Sequence, residues 1–244
     1  MTYLYNLFFY QPLLNGLVFF YNTAAFQDLG VAIILLTILI RIILFPLFQK
    51  GARQQVLMQE IQPKLKKIKE QHRNDKEKQV RATLDLYKSY RLNPFSGFLL
   101  ILVQIPVLIA LYQIFLKSFS PELFVGQLYS FIAAPEHVNT MLLGLISLEG
   151  RSIVLVGLAA VAQYFQGKLS IVKPREAREL TPAERMSRSM VLIGPILTVV
   201  FFINLPAAVG LYWFTTSVFS IFQQIIINKQ LVHGNPGNIS KKNT

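Results

Sequence analysis

Cysteine is absent from this chain. That excludes disulfides, thiol nucleophiles, thiolate zinc sites and lipid attachment at cysteine. Carboxylates are scarce, with 12 Asp and Glu against 24 Lys and Arg, and none lies inside a long apolar run except Asp28 at the edge of one. The three histidines, His72, His137 and His233, fall on three separate polar segments and compose neither a metal site nor a nucleophile–base pair. No glycine-rich phosphate loop occurs. Residues 1–27 carry no charge, which removes the basic start that a secretory signal peptide requires. The expectation is a protein that is not an enzyme, with no catalytic residues, no cofactor and no metal.

Apolar residues, in contrast, are abundant. They make up 53% of the 244 residues, and the mean hydropathy is +0.45, which describes a polytopic membrane protein. At roughly 20 residues per crossing, the length suits about five spans with modest loops. A formal net charge of +12 could suggest nucleic acid, but its distribution does not. Twelve of the 24 basic residues lie between Lys50 and Arg91, six between Lys168 and Arg188, and three at Lys229, Lys241 and Lys242. These segments alternate with apolar runs, so the positive-inside rule puts them in the cytoplasm and the N-terminus outside. The surplus is a topology signal first and a surface for anionic lipids or ribosomal RNA second, with no DNA partner.

Along the chain, residues 1–27 are aromatic-rich and interrupted by Gln11, Pro12, Asn15 and Gly16, which reads as an interfacial helix on the outer face. The five-span core covers 28–230, with spans at about 29–48, 95–116, 152–168, 190–204 and 207–228. Within it, residues 50–92 show apolar stripes at Leu57, Ile61, Leu65 and Ile68, then at Val80, Leu84, Tyr87 and Leu92. Spacings of three and four, with a turn at His72–Asp75, predict a cytoplasmic helical hairpin that Pro63 kinks or restarts. Its thin stripes predict weak docking. Residues 231–244 read as a disordered basic tail.

Arg41 is the outstanding residue. It follows Leu29–Ile40 and precedes Ile42–Phe48, an otherwise greasy stretch. Helix rise puts it about 18 Å from Leu29 and about 13 Å from Lys50, near mid-membrane. A guanidinium there costs roughly 3 kcal/mol on insertion scales and cannot shed its charge. A buried ion pair would need an intramembrane Asp or Glu, and no other span holds one, so Arg41 is expected to face a wet cavity. Thr37 lies one turn away on the same face. Gln104, Gln163 and Gln166 also interrupt the spans. In the last span Trp213, Ser217 and Ser220 share a face, and Tyr212, Thr216 and Ser220 an adjoining one. Each of these polar groups could line the cavity or simply hydrogen-bond between helices, and Trp213 could be an ordinary packed aromatic.

With these features in view, the chain resembles the YidC-type membrane protein insertases of the YidC/Oxa superfamily. The matching stretches are Ile40–Leu47, Leu57–Lys67, Leu86–Tyr112, Leu142–Leu148, Gln163–Leu169 and Leu205–Gln224. The resemblance implies an all-α, short form without the large external domain, whose five helices enclose a hydrophilic groove open to cytoplasm and lipid. It implies that Arg41 is the groove arginine, that Gln163 or Gln166 is its polar companion, and that Trp213 is an aromatic groove or slide residue. With Thr37, Gln104, Thr216 and Ser220 these form the expected substrate groove. The implied activity is insertion and chaperoning of nascent membrane proteins in the bacterial inner membrane, the C-terminus being cytoplasmic. Ribosome and Sec translocon are implied partners. The rival readings are an anion or solute transporter and a structural assembly subunit. No internal repeat or broken-helix ion site of the transporter kind is seen.

Overall fold

The computed structural model describes residues 3–93, 95–117, 123–171 and 182–233, without the side chains of 182–188, 190 and 231–233. The expected tail therefore lies largely outside the described residues, as does much of the loop between the third and fourth spans.

The elements run α1 (Tyr3–Tyr5), a π-turn (Asn6–Tyr10), α2 (Gln11–Thr23), α3 (Leu29–Ile43), α4 (Phe45–Glu60), α5 (Gln62–Gln71) and α6 (Lys76–Ser89). They continue with α7 (Ser96–Leu116), β1 (Met141–Leu142), β2 (Ile146–Ser147), α8 (Ile153–Ser170), α9 (Pro182–Phe202) and α10 (Ala207–His233). Among the described residues, α7, α8 and Ala207–Gln230 are each long and apolar enough to cross a bilayer. The pair α3–α4 makes a fourth candidate, although it is bent by 67°, and α9 contributes the shorter apolar segment Val191–Phe202.

The bend alters the expected straight first span at 29–48. Leu44 departs from ideal helix dihedrals, with φ −85° and ψ 0°, and Pro46 sits in the first turn of α4. Proline has no N–H to give the preceding turn, and its ring crowds that turn's carbonyl, so the axis breaks there. Arg41 consequently stands in the last turn of α3 rather than mid-helix, at the carbonyl end that favours a cation.

The end of the bundle at which α3 and α10 begin is densely built. Asp28 caps α3 by accepting from the Val31 N–H at 2.9 Å, and its other oxygen accepts from the Leu143 N–H at 2.6 Å. Leu143 belongs to the hairpin of β1 and β2, whose register pairs Leu142 with Ile146. The hairpin turn is tight, with Leu143 and Gly144 at φ +50° and +69°. Gly30 lets the hairpin lie directly on α3, because a β-carbon there would stand 2.8 Å from Leu142 Cβ. The same loop receives the first N–H groups of two helices: Leu29 donates to Asn139 O, Ala207 to Gly150 O and Ala208 to Leu148 O. Those groups would otherwise lack partners at the helix starts.

The core packs just beneath this cap. Leu14 and Leu17 of α2, Leu29 and Ile33 of α3, Leu111 and Ile114 of α7, and Leu211 and Tyr212 of α10 are all nearly inaccessible. Fully burying one such side chain stabilises by about 1.5–3 kcal/mol. Small residues let helices close in, with Ala159 of α8 buried and Gly210 of α10 set against the Leu155 backbone. The N-terminal helix has one face in this core. Gly16 faces Leu36, and Asn15 bonds the outer loop through Gln127 O and Tyr129 N.

At the opposite end, α4 and the α5–α6 pair behave differently from a single hairpin. Gly51 of α4 meets Leu100 of α7, Gln49 bonds Gln230, and Gln223 bonds Phe45 O. Helix α4 therefore lies under the bundle. Helix α5 begins anew with Pro63 in its first turn. It folds on α6 over a small cluster of Ile61, Leu65 and Leu92, while Val80 and Leu84 stay 58% and 49% exposed. The second expected stripe is thus buried mainly at its Leu92 end.

Candidate functional site

Below the core, the helices part around a cavity of about 500 Å³ that Arg41 lines. Arg41 is 7% exposed, and its guanidinium carbon lies 4.3 Å from the centre of the Phe48 ring. That stacking follows from the bend, which brings the start of α4 back toward the end of α3. The ion pairs found among the described residues are Lys66–Glu70, Lys78–Asp75 and Arg81–Glu77, all on the hairpin. Arg41 has no carboxylate partner among the described residues, and the Phe48 ring offsets only part of the cost of its burial.

The walls are amide-rich. Gln104 of α7 lines the cavity and donates to the Tyr212 hydroxyl. Gln163 and Gln166 of α8 both line it. Gln163 accepts from the Thr198 hydroxyl across the α8–α9 contact, and Gly194 leaves room for its amide, which a β-carbon would approach to 3.2 Å. Thr216, Ser217 and Trp213 complete the α10 side. The Trp213 ring stands edge-on to Phe202 at 5.2 Å, and its buried indole N–H has no hydrogen-bond partner among the described residues.

Two expected groove residues are placed elsewhere. Thr37 is 1% exposed and donates to Ile33 O at 2.6 Å, and Ser220 donates to Thr216 O at 2.9 Å. Neither lines the cavity. Each hydroxyl is satisfied by its own helix four residues back, a common use of such residues within helices. Sequence reading missed Phe48, Gln55 and Gln59, which line the cavity from α4. Their spacings of seven and four place them on one helical face. Gln59 also donates to Ser170 O at 3.1 Å, holding α4 to the end of α8. Among the described residues no group of three His, Asp or Glu side chains could hold a metal.

Such a site is a concave space, lined by one buried guanidinium and several amides, inside an apolar bundle. With an effective dielectric near 20, a carboxylate brought to about 4 Å from Arg41 would gain roughly 4 kcal/mol before desolvation. The amides can replace water around other polar groups.

Comparison with known proteins agrees with this architecture. The family model described as 60Kd inner membrane protein matches residues 19–234. The chain is 33% identical over 226 residues to a membrane protein insertase YidC of Geotalea daltonii, covering 91% of this chain and 37% of that protein. The YidC proteins of Magnetococcus marinus and Syntrophobacter fumaroxidans give 33% and 34% identity over 227 and 230 residues. The chain thus spans a little over a third of the length of these relatives. A crystal structure of an active YidC insertase with its first transmembrane domain resolved superposes with a TM-score of 0.54 at 23% identity, covering 93% of this chain and 47% of that one. The chain belongs to the 60Kd inner membrane protein family, that of the YidC-type insertases.

Proposed function

We propose that this chain inserts nascent membrane proteins into the bacterial inner membrane and assists their folding, without covalent chemistry. Its core crosses the membrane five times, through α3–α4, α7, α8, α9 and α10, with the N-terminus outside and the C-terminus in the cytoplasm. The observation that carries the reading is Arg41, buried with no carboxylate partner among the described residues, beside a cavity of about 500 Å³. A hydrophilic tail entering from the cytoplasm exchanges water for glutamine amides, and an acidic tail is drawn to the guanidinium. Gln104, Gln163, Gln166, Trp213 and Thr216 act with Arg41 in receiving it.

Helices α8 and α10 are closed on each other by small residues, whereas α7 stands across the cavity from α8 and α9. The substrate span therefore leaves for lipid between α7 and α9. The α5–α6 pair is the arm that first meets the client, with the ribosome and the Sec translocon as partners on the cytoplasmic and lateral sides. The deciding experiment is rescue of an insertase-depleted bacterial strain by this gene, scored by membrane insertion of radiolabelled clients. Failure to rescue with the chain accumulated in the membrane would refute the reading.

A further inference from the structure

A second hollow of about 380 Å³ lies outside the groove, between α4 and the start of α7. Its size falls within the range of small-ligand clefts, roughly 300–1,000 Å³. Its lining is mostly apolar, with Leu47, Phe95, Phe98 and Leu102; Lys50, Gln54, Asn93 and Ser96 are its polar residues, and Lys50 is the charged one. Phe95 and Phe98 are 72% and 58% exposed. Large apolar groups beside a lysine, at the first turn of a helix built to cross a bilayer, stand at the depth where acyl chains meet cytoplasmic headgroups. Lysine suits that depth, keeping its stem in hydrocarbon and its ammonium among headgroups.

Charge decides the occupant. The hollow is lined from Leu47 to Gln54, by Asn93 and from Phe95 to Leu102, and the sequence holds no carboxylate from Leu29 to Gln59 or from Leu86 to Pro121. Lys50 has no carboxylate partner among the described residues, and Arg53 and Arg91 lie close in sequence to the two lining segments. A cationic rim over an apolar floor fits an anion carrying a hydrocarbon chain. The floor also adjoins the groove, because Leu100 lines both spaces and packs on Gly51.

We propose that this hollow is a binding site for one anionic phospholipid of the cytoplasmic leaflet, with its phosphate at Lys50 and a chain along Phe98 and Leu102. The bound lipid wedges α4 against α7 at the Gly51–Leu100 contact and so steadies the wall of the groove.

The test uses the full chain in a neutral detergent, titrated with phosphatidylglycerol or phosphatidylcholine and read by native mass spectrometry. The wild type should retain one phosphatidylglycerol with at least a tenfold preference over phosphatidylcholine. Lys50→Glu should abolish that preference, Lys50→Arg should keep it, and Lys66→Gln on the distant hairpin should leave it unchanged. Phe98→Ala should weaken retention of both lipids. Equal retention of the two lipids by the wild type would show a chain-binding crevice without headgroup recognition and would overturn the proposal. So would an undiminished preference in Lys50→Glu, or full competition by inorganic phosphate. Equal losses in Lys50→Glu and Lys66→Gln would indicate diffuse surface charge and would also overturn it. None of these readouts depends on insertase activity.

Discussion

The outer and inner halves of the same helices are built on opposite rules. Toward the Asp28 cap, the outer half of the proposed topology, α3, α7, α8 and α10 present Leu, Ile, Ala and Gly to one another and bury them almost completely. Toward α4, the inner half of the proposed topology, the same helices present Arg41, Gln104, Gln163 and Ser217 around a cavity. Outer polar groups are consumed by the structure, as when both oxygens of Asp28 receive backbone N–H groups. Inner ones are in part left over, as with Arg41 and the Trp213 indole. Stability is concentrated where the helices are closed, and the capacity to accommodate something foreign where they are not. A structure held firmly at one end can keep a polar hole at the other.

That contrast predicts that substitutions at the inner end lower activity and those at the outer end lower stability. The largest effect is expected at Arg41. Arg41→Ala should reduce insertion of clients with acidic external tails at least tenfold and largely spare neutral tails. Arg41→Glu should be worse for the acidic class, and Arg41→Lys should keep much of the activity because a positive charge remains. Protease accessibility of the translocated tail reads these outcomes. The unfolding temperature should hold or rise, since an unpaired buried charge has been removed. A fall in stability matching the loss of activity would erase the distinction between the two ends.

Next comes Gly30→Ala at the cap. The added carbon meets Leu142 Cδ1 at 2.3 Å and Cα at 3.1 Å, so the hairpin must move off α3. A cost of about 1–3 kcal/mol is expected, visible in thermal unfolding, with insertion per folded molecule preserved. An unchanged melting profile would mean that the cap is not where stability resides.

Smaller still, Gln59→Ala removes the bond to Ser170 O. At about 0.5–1.5 kcal/mol for a typical hydrogen bond, amide exchange should quicken in α4 and not in α3. Equal change in both helices would make α4 part of the closed half.

The smallest effect is one of pH on the α5–α6 turn. The Lys78 backbone N–H, followed by the Lys78 side chain, holds the Asp75 carboxyl below the usual aspartate range. Its contribution is present above the ordinary aspartate pKa and fades as pH falls through the lowered one. The first turn of α6 should lose exchange protection in acid while α3 and α7 keep theirs, and Asp75→Asn should remove that pH dependence.

Much of this division was legible in the residues, and the misses have physical causes. Arg41, Gln104 and the α8 glutamines stand out because a polar group in an apolar run must be accounted for. Phe48, Gln55 and Gln59 did not stand out, because glutamine in a polar segment attracts no notice until a bend folds that segment beneath the bundle. Pro46 gave the signal for the bend, but an apolar run reads as one straight helix unless tertiary packing says otherwise. Thr37 and Ser220 misled because a hydroxyl's partner can be its own backbone, which spacing does not reveal. Both α8 glutamines line the cavity, so the choice between them was not forced by the geometry, although Gln163 is bonded to Thr198.

The cap also has a consequence in time. Its carbonyls at Asn139, Leu148 and Gly150 receive N–H groups from Leu29 and from Ala207 and Ala208, partners separated by most of the polypeptide. A ribosome adding roughly 5–20 residues per second completes the cap at Gly150 about 3–11 seconds before it reaches α10. For that interval the hairpin has half its clients, and the N-terminus of α3 is held while the seat for α10 stays vacant. Closure of this end therefore waits for α10, and a chain stopped before Ala207 lacks the bonds that Ala207 and Ala208 give the cap.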